Sequence, residues 1–281
     1  MHDVVFSRVD VVLDRTFTEF KAALGARAES PEACYACGVG AAALGRLDEA
    51  EGCFRRALRD RADYWSAHYC LGLVCAENGK PAEALTRLAR ALDGMPQVLR
   101  IWRAQGRLHA QQGNPGHAIK SFRTGLDKNP DSSEAWLLRQ ELGRAYYAQR
   151  RYAEAACEFE QAAVVRPRDP HLHVNLGTSY LAMGRLDRAE AALKIALGID
   201  PGLLSGLRNL GTLHIKARRF EDAAVVLARA VAIDPDHAST QRKLALACFE
   251  QGNEAGAEEH MRRALELGGL AEDARTDGGK S

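Results

Sequence analysis

The sequence predicts an all-α protein: a right-handed superhelical solenoid of about seven helix–turn–helix repeats, with an extra N-terminal helix. Three periodic features indicate this fold. A glycine recurs every 34 residues with one interval of 37, an alanine follows each glycine after twelve residues, and a proline ends most units. A period in this range is typical of stacked helical repeats. The glycines are Gly38, Gly72, Gly106, Gly143, Gly177 and Gly211.

Each unit is expected to form two antiparallel helices. Small residues let the two helices approach closely, and large apolar residues fill the space between them. The second helix ends at an Asp-Pro or Asn-Pro pair, because proline lacks an N–H and clashes with the preceding turn. Since one unit cannot bury its apolar face alone, neighbouring units stack. The stop pairs include Asn129-Pro130, Asp200-Pro201 and Asp234-Pro235.

This pattern resembles the tetratricopeptide repeat (TPR) family. With Gly38 counted as position 8, repeats start near residues 31, 65, 99, 136, 170, 204 and 238, and the resemblance covers residues 31–270. Leucine-glycine pairs match positions 7 and 8, tyrosines match position 11, and a large apolar residue matches position 24. The matches are Leu71-Gly72, Leu142-Gly143, Leu176-Gly177, Leu210-Gly211, Tyr146, Tyr180, Phe54, Leu88, Phe122, Phe159, Leu193, Leu227 and Met261.

Some residues depart from the family's pattern. Repeat one has Cys37 and Ala41 where the motif has leucine and an aromatic residue, and repeat seven has Ala245 in place of the glycine. Terminal repeats of solenoids are often atypical. Between repeats three and four, three inserted residues within 131–134 predict a longer loop.

The two ends are expected to differ from the repeats. In the N-terminal segment 1–30, apolar residues recur at spacings of three and four, which favours an amphipathic helix over residues 3–24. This helix either caps the first repeat, or mediates self-association or docks a partner helix. Residues 271–281 are polar and are expected to form a disordered tail. The apolar positions are Phe6, Leu13, Phe17, Phe20 and Leu24.

The composition excludes several classes of protein. The net charge of +1 argues against a general nucleic-acid binder, which usually carries a strong basic excess. Residues 1–14 lack the basic and apolar regions of a secretion signal, and no apolar run approaches the roughly 18 residues that span a membrane. Seven cysteines without a secretory signal suggest a reducing compartment. The cytoplasm is therefore the expected location.

The resemblance implies a concave face formed by positions 2, 5, 9, 12 and 13 of each first helix. Arg100, Arg103 and Arg107 lie on one face of the first helix of repeat three. The planar guanidinium group of each offers two parallel N–H donors to a carboxylate or phosphate. The alternative is that these arginines only solvate the helix or pair with acids such as Glu141. The candidate partner-binding residues are Tyr35, Tyr69, Arg100, Arg103, Arg107, Arg144, Asn175, Arg208, Asn209 and Arg242, and the same register holds Leu73, Glu77, Gln111, Tyr147, Thr178 and Thr212.

Some TPR proteins bind chaperone tails through a carboxylate clamp of basic residues and asparagines. Here Arg103 and Arg107 occupy two of its positions, but Glu141 occupies the position that needs asparagine in the next repeat. Asn175 and Asn209 do occupy that position in later repeats, yet Ser205 fills the basic one. The clamp is therefore not present as a set.

No pattern for catalysis or a cofactor is found. Cys34 and Cys37 have the spacing of half a zinc knuckle, but both fall on core positions of the repeat, where cysteine packs as a small apolar residue. The chain has no phosphate loop, nucleophile elbow or His-Glu-x-x-His motif. The sequence thus predicts no metal, no cofactor and no enzyme activity.

The best prediction is an adaptor that binds an extended acidic peptide or partner protein in the concave groove. The arginines would supply the complementary charge, and Tyr35 and Tyr69 an apolar contact. One alternative is a scaffold that self-assembles, giving a homo-oligomer, through the N-terminal helix and the last repeat. Another is an accessory subunit of an enzyme or assembly machine, since similar repeats occur in glycosyltransferases and in secretion or pilus assembly factors.

Overall fold

A computed structural model of the chain describes residues 16–23 and 29–277, with side chains through residue 268. Helices account for most of these residues, and the described ranges contain no strand. The helices are a segment at 16–23 (α1), α2 (Pro31–Ala43), α3 (Leu47–Asp60), α4 (Trp65–Glu77), α5 (Pro81–Gly94), α6 (Leu99–Gln111), α7 (Pro115–Lys128), α8 (Ala135–Ala148), α9 (Tyr152–Val165), α10 (Pro170–Ala182), α11 (Leu186–Ile199), α12 (Leu204–Lys216), α13 (Phe220–Ile233), α14 (Ala238–Glu250) and α15 (Glu254–Asp277).

From α2 onward the helices form consecutive pairs, and the prediction of an all-α helical solenoid is confirmed. The first helix of each pair begins within one residue of the repeat start given by the sequence. Contacts divide the chain into two compact units, Met1–Glu141 and Leu142–Ser281. Within each unit, helices that follow one another in sequence pack together, as α4 does on α5 and α10 on α11, and successive first helices also touch, as α4 touches α6 and α10 touches α12.

The insertion before α8 lengthens a loop. Residues 129–134 connect α7 to α8, whereas residues 61–64 and 95–98 make the equivalent connections earlier in the chain. After this loop α8 begins at Ala135, one residue before the repeat start at 136 that the sequence predicted.

Only part of the predicted N-terminal helix is described. Phe17 of α1 is buried, and its ring occupies the space beside Gly40 of α2. The Lys21 ammonium reaches the Glu49 carboxylate of α3 at 2.6 Å. Residues 3–15 and Leu24 lie outside the described residues, with the apolar positions Phe6 and Leu13 among them.

The C-terminal helix α15 differs from the expected disordered tail. It extends through Asp277, so residues 271–277 are helical, while residues 278–281 lie outside the described part. In most of the other repeats a proline after the second helix ends it, because proline lacks the N–H that would continue the helical hydrogen bonds. No proline follows Pro235, so this signal is missing after α15.

Two residues after the end of each first helix from α2 onward, one residue adopts the left-handed backbone conformation. Glycine fills this place in five repeats, with φ between 70° and 76°, because a residue without a Cβ adopts it without strain. Arg150 and Arg218 fill the same place in repeats four and six, at φ 60° and 56°. The same backbone turn therefore forms in the two repeats in which arginine replaces the glycine. The five glycines are Gly45, Gly79, Gly113, Gly184 and Gly252.

The two helices of a pair meet where the glycine at position 8 faces the large residue at position 24. A Cβ on Gly38 would lie 2.6 Å from the Phe54 ring, and a Cβ on Gly143 would lie 2.7 Å from the Phe159 ring. Both aromatic rings are almost completely buried. Both glycines have ordinary helical backbone angles, so their backbone conformation does not require glycine. Glycine is needed here because there is no room for a Cβ.

A second recurring contact ties four of the first helices to the loops that precede them. The side chain at position 4 donates a hydrogen bond to the carbonyl oxygen six residues earlier in four repeats. The donors are His68 Nε2 to Ala62, Trp102 Nε1 to Pro96, His173 Nε2 to Pro167 and Gln241 Nε2 to Pro235, at 2.7–3.0 Å.

We expect Gly38→Ala to lower the free energy of unfolding by about 1–2 kcal/mol. The added methyl group must displace the Phe54 ring, and overpacking of this kind outweighs the gain in helix propensity. Gly52→Ala is the matched control, since Gly52 lies in α3 with open space around it. Gly52→Ala should be neutral or stabilising by up to about 1 kcal/mol. Urea unfolding followed by circular dichroism measures both, and equal effects would contradict the close-contact explanation.

Burial lowers the pKa of His68, whose Nδ1 is buried without a partner. The unfolded chain therefore binds the proton more readily, and stability should be lost as the pH falls below about 6.5. We expect His68→Gln to reduce this loss between pH 7 and pH 5. Glutamine should preserve the bond to the Ala62 carbonyl, because Gln241 makes the equivalent bond.

The measurement is urea unfolding of both proteins across this pH range. Above pH 7 His68 is neutral in both states, so the two stabilities should agree to within about 0.5 kcal/mol. A variant that keeps the full pH dependence would show that His68 does not contribute to it.

Candidate functional site

A cavity of about 290 Å³ opens between α4 and α6 in the first unit; we call it the arginine cavity. Its floor is apolar, and its rim carries three arginines from one face of α6. One acid, Glu77, lies opposite on α4. The lining residues are Tyr69, Leu73, Ala76, Glu77, Leu88, Arg100, Arg103, Ala104, Arg107, Leu108 and Gln111.

Acidic side chains from the next repeat partly neutralise these arginines. Arg103 and Arg107 approach the same oxygen of Glu141, Oε1, at 3.4 and 3.8 Å. Arg100 pairs with Glu134 at 3.1 Å and is two-thirds exposed. The Nε of Arg103 is buried without a hydrogen-bond acceptor. One carboxylate therefore serves two guanidinium groups, which leaves donors on Arg103 and Arg107 for a further acceptor.

The cavity brings together the residues that the sequence assigns to the concave face of repeats two and three. Tyr69, Leu73 and Glu77 come from α4, and Arg100 and Gln111 lie at opposite ends of α6. The sequence did not indicate Leu88, Ala104 and Leu108. Leu88 was assigned to the core as a position-24 residue, and Leu88 and Leu108 are both buried, so only the structure shows that they form the floor.

Tyr35 is placed differently from Tyr69. Its ring packs against Phe54 and Tyr64, with centroids 5.8 and 5.0 Å away, and its hydroxyl lies 3.7 Å from the Cys70 sulfur. Burial and this contact raise the pKa of Tyr35 to about 12. Burial also raises the pKa of Tyr69. Tyr35 thus contributes to the packing of repeats one and two, whereas Tyr69 lines a cavity.

A second cavity, of about 200 Å³, lies in the second unit and is lined by Arg144, Tyr147, Phe159, Asn175 and Thr178; we call it the Arg144 cavity. Arg144 is exposed, Asn175 and Tyr147 are half-buried, and Phe159 is buried. Burial raises the pKa of Tyr147, so its phenol stays protonated at neutral pH. Three of these five residues, Arg144, Tyr147 and Thr178, belong to the concave register given by the sequence, and Asn175 lies at position 6.

The remaining candidates in the second unit mostly join one repeat to the next. Arg208 pairs with Asp234 and donates to the Thr240 hydroxyl at 3.1 Å. Asn209 donates to Thr178 Oγ1 at 2.8 Å. Arg242 of α14 is exposed and has no ion pair within the described part of the chain.

Asn209 belongs to a ladder of bonds between repeats. A side chain at position 6 donates to the hydroxyl at position 9 of the preceding repeat: Asn209 to Thr178, and Lys243 to Thr212, both at 2.8 Å. Sequence reasoning did not identify Lys243. Its place at the same repeat position as Asn209 is the signal that would have found it.

Two carboxylates with strongly lowered pKa values make equivalent bridges in the two units. Hydrogen bonds from Lys80 and then Arg55 lower the pKa of Glu51 to about 2. Arg219 and then Lys194 do the same for Glu190, whose pKa is also about 2. Both acids occupy position 21, and Lys80 and Arg219 both occupy position 16 of the following repeat. This recurrence indicates a structural role, because it links successive repeats in the same way twice.

The cysteines are free, and those of the Cys34–Cys37 pair are buried in the core of the first unit. Burial raises the pKa of both thiols. Elsewhere in that unit, Glu51, Cys75 and Glu83 bring ligand atoms within 4.8 Å of one another. Lys80 and Arg55 already bind these carboxylates at 2.8–2.9 Å, so the cluster forms an ion-pair network.

No helix in the described residues is long and apolar enough to cross a membrane. A sequence model described as tetratricopeptide repeat matches residues 35–98, 141–203 and 208–272, and a second model of that description matches residues 76–142. No curated protein matches the chain significantly.

Solved structures with the same fold include the C-terminal part of a TPR repeat-containing protein from Cytophaga hutchinsonii. It is 17% identical with a TM-score of 0.70, and the match covers 86% of this chain and 97% of that one. YrrB, a TPR protein with an unusual peptide-binding site, is 18% identical with a TM-score of 0.58, covering 66% and 95%. MamA from Desulfovibrio magneticus RS-1 is 17% identical with a TM-score of 0.55, covering 65% and 97%. At these identities the likeness shows the fold alone.

Proposed function

This chain belongs to the tetratricopeptide repeat family, and we propose that it is a non-catalytic scaffold that binds an extended acidic segment of a partner protein in the arginine cavity. Repeats of this family generally serve as interaction modules, and the related structure of YrrB is described as having a peptide-binding site. The seven free cysteines fit a reducing compartment, and we place the protein in the cytoplasm.

The observation that carries the proposal is the composition of the arginine cavity. Three guanidinium groups border an apolar floor that includes Tyr69 and Leu73. An extended segment could place an apolar side chain on this floor and carboxylates against the rim. Arginine suits this role because its planar fork binds a carboxylate through two parallel hydrogen bonds.

The acids around the cavity define how the ligand would bind. Glu134 and Glu141 compensate two of the three positive charges, so long-range attraction is modest. Specific binding then depends on Arg103 and Arg107, which share one carboxylate and retain unused donors. Tyr69 supplies the aromatic contact in this arrangement, because it lines the cavity, whereas the half-buried Tyr35 lies outside the lining and contacts Phe54, Tyr64 and Cys70.

We expect Arg103→Glu combined with Arg107→Glu to weaken binding of an acidic peptide by roughly tenfold or more, since like charges at an interface cost several kcal/mol. The probe is a fluorescein-labelled peptide rich in Asp and Glu with one central leucine, and the measurement is fluorescence anisotropy. The matched control is Arg59→Glu with Arg90→Glu, which makes the same charge change on exposed side chains of second helices.

Helicity by far-ultraviolet circular dichroism should be unchanged in both double variants. Equal binding by the wild type and the Arg103→Glu/Arg107→Glu variant would refute the arginine cavity as the site.

A second experiment, affinity capture from host lysate with the wild type and the same variants, identifies the partner as a protein that the wild type captures and the Arg103→Glu/Arg107→Glu variant does not. Recovery of the bait alone would favour self-association, for which the last helix pair offers the exposed side chains of Phe249 and Met261.

A second variant should act in the opposite direction. Glu141→Gln removes the carboxylate that Arg103 and Arg107 share, so we expect the acidic peptide to bind about three- to tenfold more tightly, the scale of one ordinary net hydrogen bond. The gain should shrink as salt is raised, because exposed charges are screened. Unchanged affinity at low salt would show that the ligand does not contact these two arginines.

A further inference from the structure

We infer that a second copy of this chain binds the outer side of α9, α11 and α13, so that the protein forms a twofold symmetric dimer. This surface, the apolar face, consists of exposed valine and isoleucine side chains in the second unit. It is separate from the proposed peptide site, because none of these residues lines the arginine cavity. The members of the apolar face are Val164, Val165, Ile195, Ile199, Val225 and Ile233.

The apolar face lies on the side of each second helix that is opposite to the core. Phe159, Leu193 and Leu227 at position 24 are almost completely buried, whereas the exposed residues occupy positions 22, 26, 29 and 30 of the same helices. With 3.6 residues per turn, these positions point away from position 24. Val164 and Val225 are 82% and 65% exposed, so folding of the single chain does not bury them.

Most other repeats carry charged residues at the equivalent places. Positions 26, 29 and 30 of repeats one, two, three and seven hold mainly Arg, Lys, Asp and Glu. The repeat itself therefore does not require apolar residues there. The charged residues are Arg56, Arg59, Asp60, Arg90, Asp93, Asp127, Lys128, Arg263 and Glu266.

Exposed valine and isoleucine do not stabilise these helices. Both have a lower helix propensity than alanine, lysine or glutamate, and an exposed side chain gains nothing from hydrophobic burial. Single exposed apolar residues are ordinary, but a group of them on one surface indicates an interaction site. The helices α9 to α13 pack in order, so the six side chains share one side of the unit.

Charge complementarity identifies the partner as a second copy. Arg166 and Arg168 are exposed at the C-terminal end of α9, and Glu221 and Asp222 are exposed at the N-terminal end of α13. In the order of packing, α11 lies between these two helices. A twofold axis perpendicular to α11 places α9 antiparallel to α13 of the second copy, which brings the two cations against the two acids.

The apolar residues agree with the same axis. Counted by repeat position, Val164 at 29 and Val225 at 22 have the same midpoint as Arg168 at 33 and Glu221 at 18. This midpoint falls beside Ile195, at position 26 of α11. One axis there pairs valine with valine and arginine with glutamate across the two copies. Such an interface is isologous, so each contact occurs twice.

The centre of the apolar face suits a neutral, apolar partner surface. Lys194 on α11 pairs with Glu190 at 2.8 Å, so its charge is compensated within the chain. The helices α9, α11 and α13 have 14 residues each and are therefore about 21 Å long. At about 10 Å per helix they present a face on the order of 600 Å², close to the roughly 800 Å² that each partner buries in a stable complex.

Sedimentation equilibrium of the full chain, without added ligand, tests for the dimer. We expect a dimer at micromolar concentration. Ile195→Lys should weaken dimerisation roughly tenfold or more, because the axis brings the two introduced ammonium groups together. Val39→Lys is the matched control and should leave dimerisation unchanged, since Val39 is 43% exposed on α2 in the first unit. Far-ultraviolet circular dichroism should be the same for both variants and the wild type.

A charge exchange tests how the two copies are arranged. Arg168→Glu and Glu221→Lys should each weaken the dimer roughly tenfold, because like charges then meet on both sides of the axis. An equimolar mixture of these two variants should associate as tightly as the wild type, since every contact in the mixed dimer again joins opposite charges. A mixture that associates no better than either variant alone would overturn the twofold arrangement.

Three further results would overturn the dimer through the apolar face. A wild type that stays monomeric up to about 100 μM would leave this face to a different protein. Assemblies larger than a dimer would exclude a closed twofold contact, and a dimer that survives Ile195→Lys would use another surface. Peptide binding is a separate result: a monomer that binds the acidic peptide rejects the dimer alone, and a dimer in which Arg103→Glu/Arg107→Glu does not weaken peptide binding rejects the arginine cavity alone.

Discussion

Close contact between the two helices of each pair is the constraint on which the other features of this protein depend. The glycine at position 8 permits it, and the large residue at position 24 fills the space, as Gly38 and Phe54 do in the first pair. This contact fixes the rotation of the first helix about its axis. Positions 2, 5, 9, 12 and 13 then follow one side of the first helix, so the same packing that stabilises the core also brings the candidate ligand-binding side chains together.

The electrostatic properties of that face depend on which charges are compensated by neighbouring repeats. Glu51 and Glu190 are each held by cations of the next repeat, and their lowered pKa values reflect that linkage. Arg208 is likewise engaged by Asp234. In contrast, Arg103 and Arg107 share a single acid, and Arg144 has none among the described residues. A nearly neutral chain therefore still presents localised donors in each unit.

The sequence could predict the fold because its repeat rests on steric needs that leave a mark at every copy. Gly38, Phe54 and their equivalents recur at a fixed spacing, and the family assignment that they suggested is confirmed. The site was less predictable. The register correctly grouped Tyr69 with Arg100, but the pairing of Glu141 with Arg107 joins two repeats, and the burial of Tyr35 depends on contacts with Tyr64 and Cys70. The residue types at these contacting positions change from repeat to repeat, so one sequence does not show which of them pair.

The hydrogen bond from position 4 to the preceding loop has a consequence for evolution. Histidine, tryptophan and glutamine all perform it in this one chain, at His68, Trp102, His173 and Gln241, because each carries an N–H at a suitable reach. In these four repeats the position needs a side-chain N–H at a suitable reach and accepts more than one residue type, whereas Leu207 holds the same position in repeat six without such a group. Exchanges among histidine, tryptophan and glutamine at this position should therefore keep the bond to the preceding loop. Divergent repeats can thus drift in sequence while the path of the backbone between them stays the same.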